Sequence, residues 1–466
     1  MGSNYINSRI YVHINYMNQE IWNRLLPYIE LDNPEYITAE RMGRWTGAIP
    51  RKILMWKRDG AYISLPYGLK KILVQSGLVF DDYTGIGLRV DYKMRPFDES
   101  FLDMKAQRDA VETARREGNG IVVMPCGTGK TQTALRLVAS LGVRTLWLTH
   151  TKDLLNQSLN RAKSLFGLLP SDFGTITEGK IAVGEAITFA TVQTLSQNRD
   201  AIEYYKDYFD CIIVDECHHA VGSPTRMTMF SRVLDGMNAF YKFGLTATPD
   251  RTDGLSRAMV ALLGGKIFES AADTERTVPV VVREIMSGAW NPATRDVTNI
   301  DGTLDWNKCL EKLTSCSARN RELLELVREA EKPCLILSDR VEHCRELQLD
   351  WTNNYETGTD DIATYLVGKV SAKTRYEILS NVPPIIFATY PLAKEGLDIP
   401  QLRTVVFATP TKNKITVTQS VGRVMRRADG KEYGTVIDYV DTGFGRTVKL
   451  YKERKTIYRR LKCQVL

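Results

Sequence analysis

Residues 121 to 131 read Ile-Val-Val-Met-Pro-Cys-Gly-Thr-Gly-Lys-Thr, an apolar run that gives way to a glycine-containing turn and a Lys-Thr pair. Such a turn lets backbone N–H groups close on phosphate oxygens, and a helix starting at its end presents its positive dipole end to the same anion. In this reading Gly127, Thr128 and Gly129 form the cradle, Lys130 reaches the β/γ-phosphates of a nucleotide, and the Thr131 hydroxyl ligates Mg²⁺. The strict phosphate-loop pattern has a glycine where this chain has Met124. From these residues alone, a surface turn with a chance Lys-Thr pair stays open.

A second group of reactive residues follows the apolar run 211–214, at Asp215-Glu216-Cys217-His218. Acids at the carboxyl end of a hydrophobic strand sit where α/β sheets hold ligands. Asp215 is placed to hold Mg²⁺, Glu216 to orient or deprotonate a water attacking the γ-phosphate, and His218 to report nucleotide state to the rest of the protein. An Asp/His/His metal cluster using His219 is the competing reading. Thr246 and Thr248 end another apolar run, with hydroxyls that could bridge the acids to a second domain or simply close a turn. Farther on, Gln419 to Arg427 opens a predicted helix, on which Arg423 and Arg426, three apart, share a face. Two guanidinium groups aimed at a bound phosphate would act as arginine fingers; an exposed basic helix face is the alternative.

These groups need rigid supports, and the chain supplies them in a recurring order. The segments 144–149, 186–190, 211–214 and 243–246 are apolar and bounded by amphipathic stretches, which is the pattern of a parallel α/β sheet. A second series, at 334–338, 384–388, 404–408 and 435–438, repeats it. The expected fold class is therefore α/β, two parallel-sheet domains in tandem preceded by a small α+β domain. The expected boundaries are 1–94 for an accessory domain that binds DNA structure, 95–270 for the nucleotide-binding domain, 271–332 for a polar connector, 333–441 for the second domain and 442–466 for a basic tail.

The chain has 466 residues, enough for several cores, with ordinary hydrophobic and charged content. No apolar run approaches bilayer-spanning length and no signal-peptide pattern opens the chain, so a cytoplasmic protein without membrane partners is expected. Its cysteines, at 126, 211, 217, 309, 316, 334, 344 and 463, include no C-x-x-C pair, which disfavours zinc clusters and a disulfide framework. The net charge of +7 lies in the tail, where Arg446, Lys449, Lys452, Arg454, Lys455, Arg459, Arg460 and Lys462 face only Glu453. Concentrated positive charge draws nucleic acid by counterion release, though it can equally be a solvated face. Residues 1–94 are rich in aromatics, among them Trp22, Trp45 and Trp56, and are mildly basic. Such a mixture can stack on bases and hold phosphates, or can form a small core.

Taken in order, Gly127 to Thr131, Asp215 to His218, Thr246-Ala247-Thr248, Gly396-Leu397-Asp398 and Gln419 to Arg426 resemble motifs I, II, III, V and VI of superfamily 2 helicases, whose first motif does not require the glycine missing at Met124. The resemblance runs from 95 to 441 and implies two RecA-like domains, ATP and Mg²⁺ as cofactors, and Lys130, Glu216, Gln419, Arg423 and Arg426 as the catalytic set. It implies further that Gln107 reads adenine, that Gly396 and Asp398 hold the ribose, and that Thr151, Lys152, Thr191, Gln193 and Thr389 contact a nucleic-acid backbone. Within the superfamily the chain is similar to the XPB-like group and to bacteriophage branch-migration helicases. At Arg251-Thr252-Asp253, however, Thr252 replaces the acid of the XPB-like element, which removes the ground for a strand-separating role there. The implied function is an ATP-driven DNA helicase or translocase acting on forked or branched duplexes and single strands, as a monomer, in the cytoplasm of a bacterial host if it is a phage protein. The alternatives are the motor of a restriction-type nuclease complex and an ATP-gated RNA remodeller.

Overall fold

In a computed structural model the described residues are 3–466 except 86, 95–104, 126–127, 222, 248–254, 271–277, 300, 369–377, 379–380, 396–398 and 412, and the side chains of 226 and 393–395 are also not described. They divide into two compact units, Met1–Pro125 with Gly129–Ala271, and Cys126–Thr128 with Ala272–Leu466.

The first unit begins with a mostly antiparallel sheet. Its strands β1 (Tyr5–Ile6) and β2 (Arg9–His13) are followed by a separate hairpin of β3 (Glu30–Asp32) and β4 (Lys52–Leu54). Then come β5 (Lys57–Asp59), β6 (Tyr62–Pro66) and β7 (Asp81–Asp82), giving the order β5-β6-β2-β1-β7. The rest of the unit is an eight-stranded sheet: β8 (Asn119–Val123), β9 (Thr145–Thr149), β10 (Phe173–Thr177), β11 (Lys180–Ala182), β12 (Ile187–Thr191), β13 (Cys211–Val214), β14 (Tyr241–Thr246) and β15 (Lys266–Glu269). The strand order is β11-β10-β12-β9-β13-β14-β8-β15, and only β11 is antiparallel to its neighbour.

Parallel neighbours need crossover connections, which cover both faces of the sheet and explain why β9, β12 and β13 are buried along their whole length. Side chains therefore alternate between two cores. Leu146 and Leu148 of β9 point into one, and Trp147 into the other. The core that takes Leu146 and Leu148 also contains Ile6, Ile10, Val12, Leu25 and Leu65, so the N-terminal sheet and this face of the large sheet share one hydrophobic interior.

Polar contacts pin the same junction. The Arg9 guanidinium donates to Asp235 at 2.5 Å, to Ser64 Oγ at 2.7 Å and to the Met55 carbonyl at 2.8 Å. Lys242, fully buried, donates to the carbonyls of Ser8 (3.0 Å) and Leu234 (2.8 Å) and lies 4.5 Å from the centre of the Tyr67 ring. Gly68 packs so closely on the end of helix Ser256–Leu263 that a Cβ there would fall 2.3 Å from the Gly264 nitrogen, so a side chain at 68 would separate the two parts.

The second unit is an all-parallel sheet of β16 (Val280–Ser287), β17 (Cys334–Ser338), β18 (Ala363–Leu366), β19 (Ile385–Thr389), β20 (Thr404–Phe407), β21 (Gly434–Asp441) and β22 (Gln464–Val465), ordered β18-β19-β17-β20-β21-β16-β22. Two of these strands lie outside the expected span 333–441. The strand β16 falls in the expected connector because Arg283 and Glu284 interrupt its apolar pattern, and β22 falls in the expected tail. That tail is mostly the helix Gly445–Arg460, which buries Leu450, Ile457 and Tyr458. Its Arg454 is buried too, forked onto Asp438 at 2.7 and 2.9 Å, so it is a structural cation; Lys449, Lys452, Arg459, Arg460 and Lys462 remain exposed. A matching buried pair joins Arg319 to Asp441 at 2.7 Å.

Burial, assisted by the charge of Arg9 and opposed by Asp235, lowers the pKa of Lys242 to about 7. An unfolded lysine titrates near ~10.4. Between these values the unfolded chain binds more protons, so this residue makes stability rise with pH from about 7 towards ~10. A Lys242→Met variant should lack that component. Thermal melts from pH 7 to 10 with the same slope in both proteins would refute the assignment.

Candidate active site

The carboxyl ends of β8, β9, β12, β13 and β14 share one edge of the first unit's sheet, because the strands are parallel and adjacent. From β8 the chain turns through Met124 and Pro125 into helix Lys130–Leu141. Gly129 caps this helix at φ +81, a left-handed conformation that favours glycine, and a Cβ there would lie 2.7 Å from Gln107 Nε2. Gln107, expected to read adenine, is buried on helix Lys105–Glu117 and packed against this turn. Thr128 is buried, while Lys130 and Thr131 open the helix.

Lys130 Nζ is 2.7 Å from Glu216 Oε1, with both side chains largely out of solvent. Glu216 sits at φ +46, ψ 53, a left-handed conformation that costs a non-glycine residue about 1 kcal/mol or more. Its second carboxylate oxygen lies 3.3 Å from His218 Nδ1, which is itself 3.0 Å from the Thr246 hydroxyl at the end of β14. Thus Lys130, Glu216, His218 and Thr246 form one continuous chain of polar contacts. Asp215 accepts from the Glu216 N–H (3.0 Å) and from Ser158 Oγ (3.3 Å) on helix Lys152–Leu165.

Burial and the adjacent Glu216 charge hold the Asp215 carboxyl above its ordinary pKa. Burial pushes Glu216 upward as well, but Lys130 and His218 outweigh it and leave the pKa lowered. At neutral pH Glu216 is therefore an anion with a cation already in place. The left-handed Gly129 turn, an ammonium beside it and a buried carboxylate together fit Mg·ATP: Thr131 and Asp215 are the residues that could hold the ion. Among the described residues, no cluster of three or more His, Cys, Asp or Glu is arranged to hold a metal. His218 and His219 instead belong to a ring stack, with His219 3.7 Å from His150 and 4.1 Å from His218 between ring centres.

His150 was not singled out in the sequence, although its place directly after β9 could have indicated it. Its carbonyl accepts from Gln193 Nε2 at 2.8 Å, joining the ends of β9 and β12. Thr151 caps helix Lys152–Leu165, Thr191 Oγ1 lies 3.1 Å from Thr194 Oγ1, and Lys152 pairs with Glu178 at 2.6 Å on the surface. These residues gather on the same edge as the phosphate turn.

In the second unit Thr389 ends β19, mostly buried, and Gln419 and Arg423 lie on helix Lys414–Val424. Arg426 falls just past the helix end, its N–H 3.4 Å from the Arg423 carbonyl, so the shared helical face expected for the two arginines gives way to a tightened turn. Gly127, Thr248, Gly396 and Asp398 lie outside the described residues.

Residues 92–251 match the family described as type III restriction enzyme, res subunit, and residues 318–428 match the helicase conserved C-terminal domain. A protein of Acanthamoeba polyphaga mimivirus, named as an ATP-dependent RNA helicase, is 29% identical over 88% of this chain and 77% of its own length. A helicase-named protein of Escherichia phage T5 is 26% identical over 72% and 70%. A Sulfurisphaera tokodaii protein named DNA 3'-5' translocase XPB2 is 26% identical over 69% and 78%. Among solved structures, yeast Dbp5 bound to RNA and ADP BeF3 aligns over 78% of this chain and 89% of that chain at 14% identity, with a TM-score of 0.57, a likeness of fold. The two large sheets are thus RecA-like units.

Removing Lys130 strands the Glu216 charge in a poorly solvated site, so Lys130→Ala should lower stability by about 3 kcal/mol. Adding Glu216→Gln should return part of that loss. Urea denaturation of the two single variants and the double variant tests the coupling, and strictly additive effects would refute it.

Proposed function

We propose that this chain, which belongs to superfamily 2 of the helicases and hydrolyses ATP to act on nucleic acid, is a DNA translocase working on forked or branched duplexes. The observation that carries the motor chemistry is the 2.7 Å pair between Lys130 and Glu216 beside the Gly129 turn. In the proposed cycle, Lys130 gives up Glu216 for the β/γ-phosphates of ATP. Glu216, no longer paired, orients the attacking water and takes its proton, and His218 carries the change to Thr246. Thr131 and Asp215 would hold Mg²⁺, which when bound neutralises charge on the phosphate oxygens. Gln107 is assigned to adenine, and Gly396 and Asp398 to the ribose. Gln419, Arg423 and Arg426 are assigned to the transferring phosphoryl group.

Thr151, Lys152, Thr191, Gln193 and Thr389 are assigned to the nucleic-acid backbone, so the grip is sequence-independent and selectivity falls to DNA shape. DNA is favoured by the resemblance of Asp215 to His218, Thr246 to Arg251 and Gln419 to Arg426 to the XPB-like group, and by the translocase relative. The name of the mimivirus relative supports an RNA-remodelling alternative, and the matched restriction-enzyme family supports a translocating motor that does not unwind. A strand-displacement assay on forked DNA, blunt DNA and RNA duplexes separates the three. Preference for the RNA duplex, or ATP turnover with no displacement of any substrate, would overturn the proposal.

Glu216→Gln should lower ATP turnover by about 10²-fold or more. For Arg423→Ala we expect nucleotide binding to survive while hydrolysis falls by ~10³-fold or more. Fluorescent-nucleotide titration beside steady-state turnover tests both variants. Near-normal turnover in Glu216→Gln, or lost nucleotide affinity in Arg423→Ala, would refute the corresponding role.

A further inference from the structure

The N-terminal hairpin carries a loop that the motor chemistry does not use. Residues 41–58 contain Arg41, Arg44, Arg51, Lys52, Lys57 and Arg58 and no Asp or Glu. Lys52 is paired with Asp32 across the hairpin at 2.8 Å, whereas Arg41, Arg44, Arg51 and Lys57 are exposed and have no salt-bridge partner among the described residues. In their midst Trp45 is 80% exposed.

The loop is held in shape. The Asn33 side chain donates to the Pro50 carbonyl at 2.8 Å, its backbone N–H donates to Arg51, and Arg44 and Ile49 close turns onto Ala39 and Thr46. The Trp45 ring lies close against Gly47, where a Cβ would fall 2.5 Å from Trp45 Cζ2, and most of the indole is open to solvent. Ile49, Pro50 and Leu54 line a cavity together with Pro224, Met227 and Thr228. The last three belong to helix Pro224–Gly236, which follows the acidic pair, so the loop lies beside a helix of the motor's first unit. The other aromatic surface is less suited to polyphosphate: Tyr5 stacks on Tyr11 at 4.6 Å, but Asp59 and Asp81 pair with residues of that same sheet face.

We propose that Trp45, with Arg41, Arg44 and Arg51, is a DNA-junction contact: the exposed indole stacks on the base uncovered where duplex meets single strand, and the guanidinium groups hold the flanking phosphates. This rests on the DNA reading above. Stacking of this kind tolerates any base, and arginines beside it supply the salt-dependent share of affinity.

The test is binding of a forked duplex carrying 2-aminopurine at the junction, beside a single strand of equal length, by wild type, Trp45→Ala, Trp45→Phe and an Arg44→Gln/Arg51→Gln double variant. Trp45→Ala should weaken fork binding about tenfold or more and lose the change in 2-aminopurine fluorescence, with a smaller effect on the single strand. Trp45→Phe should restore most of both. The double variant should flatten the dependence of log affinity on log salt by about 0.9 for each phosphate that is no longer neutralised. Unchanged fork affinity in Trp45→Ala overturns the proposal, and so does an equal loss on fork and single strand. A wild-type chain that binds DNA of neither form overturns the DNA reading along with it, whereas tight fork binding that is indifferent to Trp45 leaves that reading standing and removes the Trp45 junction site alone.

Discussion

The placement of one buried cation among two carboxylates is the constraint on which the first unit depends. Lys130, Asp215 and Glu216 converge at the carboxyl edge of a parallel sheet, where charges are costly unless they neutralise one another. Strand order meets the requirement: β13 lies between β9 and β14, and β14 lies beside β8, so the phosphate turn, the acids and Thr246 end on neighbouring strands. Glu216 adopts a left-handed backbone to reach Lys130 and His218 together. Two electrostatic partners thus hold that strained backbone in place.

The same logic of charge removed from water ties the N-terminal sheet to the motor. Arg9 reaches Asp235, and Lys242 reaches the Ser8 carbonyl, across an interior that already merges Ile10 and Val12 with Leu146 and Leu148. Neither side chain has a route to solvation without breaking that interior. An element built in this way moves with the sheet that carries Asp215 and Glu216, and whatever it binds is held at a fixed distance from them.

Most strands of the two large sheets and the acidic edge were legible in the sequence because buried parallel strands are nearly continuous apolar runs, and because a Gly-Lys-Thr turn and a strand-end Asp-Glu pair are local patterns. What was not legible depended on partners distant in the chain. The strand β16 reads as polar because Arg283 and Glu284 interrupt it, yet it pairs with β21 along its full length. Arg454 reads as one of eight tail cations until Asp438 is found beside it. His150 has no sequence signal beyond its place directly after β9, its stacking on His219 being set by the fold, and the fit of Gln107 against Gly129 is a matter of ångströms that spacing does not encode.

The merged core also changes what an N-terminal truncation would mean. Removing residues 1–94 would take away Ile6, Ile10, Val12, Leu25 and Leu65 and leave the facing side of the large sheet open to water. At about 25 cal/mol per Å² of apolar surface, exposing several such side chains costs more than the margin by which most domains are stable. A truncated chain would lose function through the motor's own fold, whatever the N-terminal sheet does. Its role is therefore readable only through exposed positions such as Trp45 and Arg44, where a side chain can be changed while the shared interior stays intact.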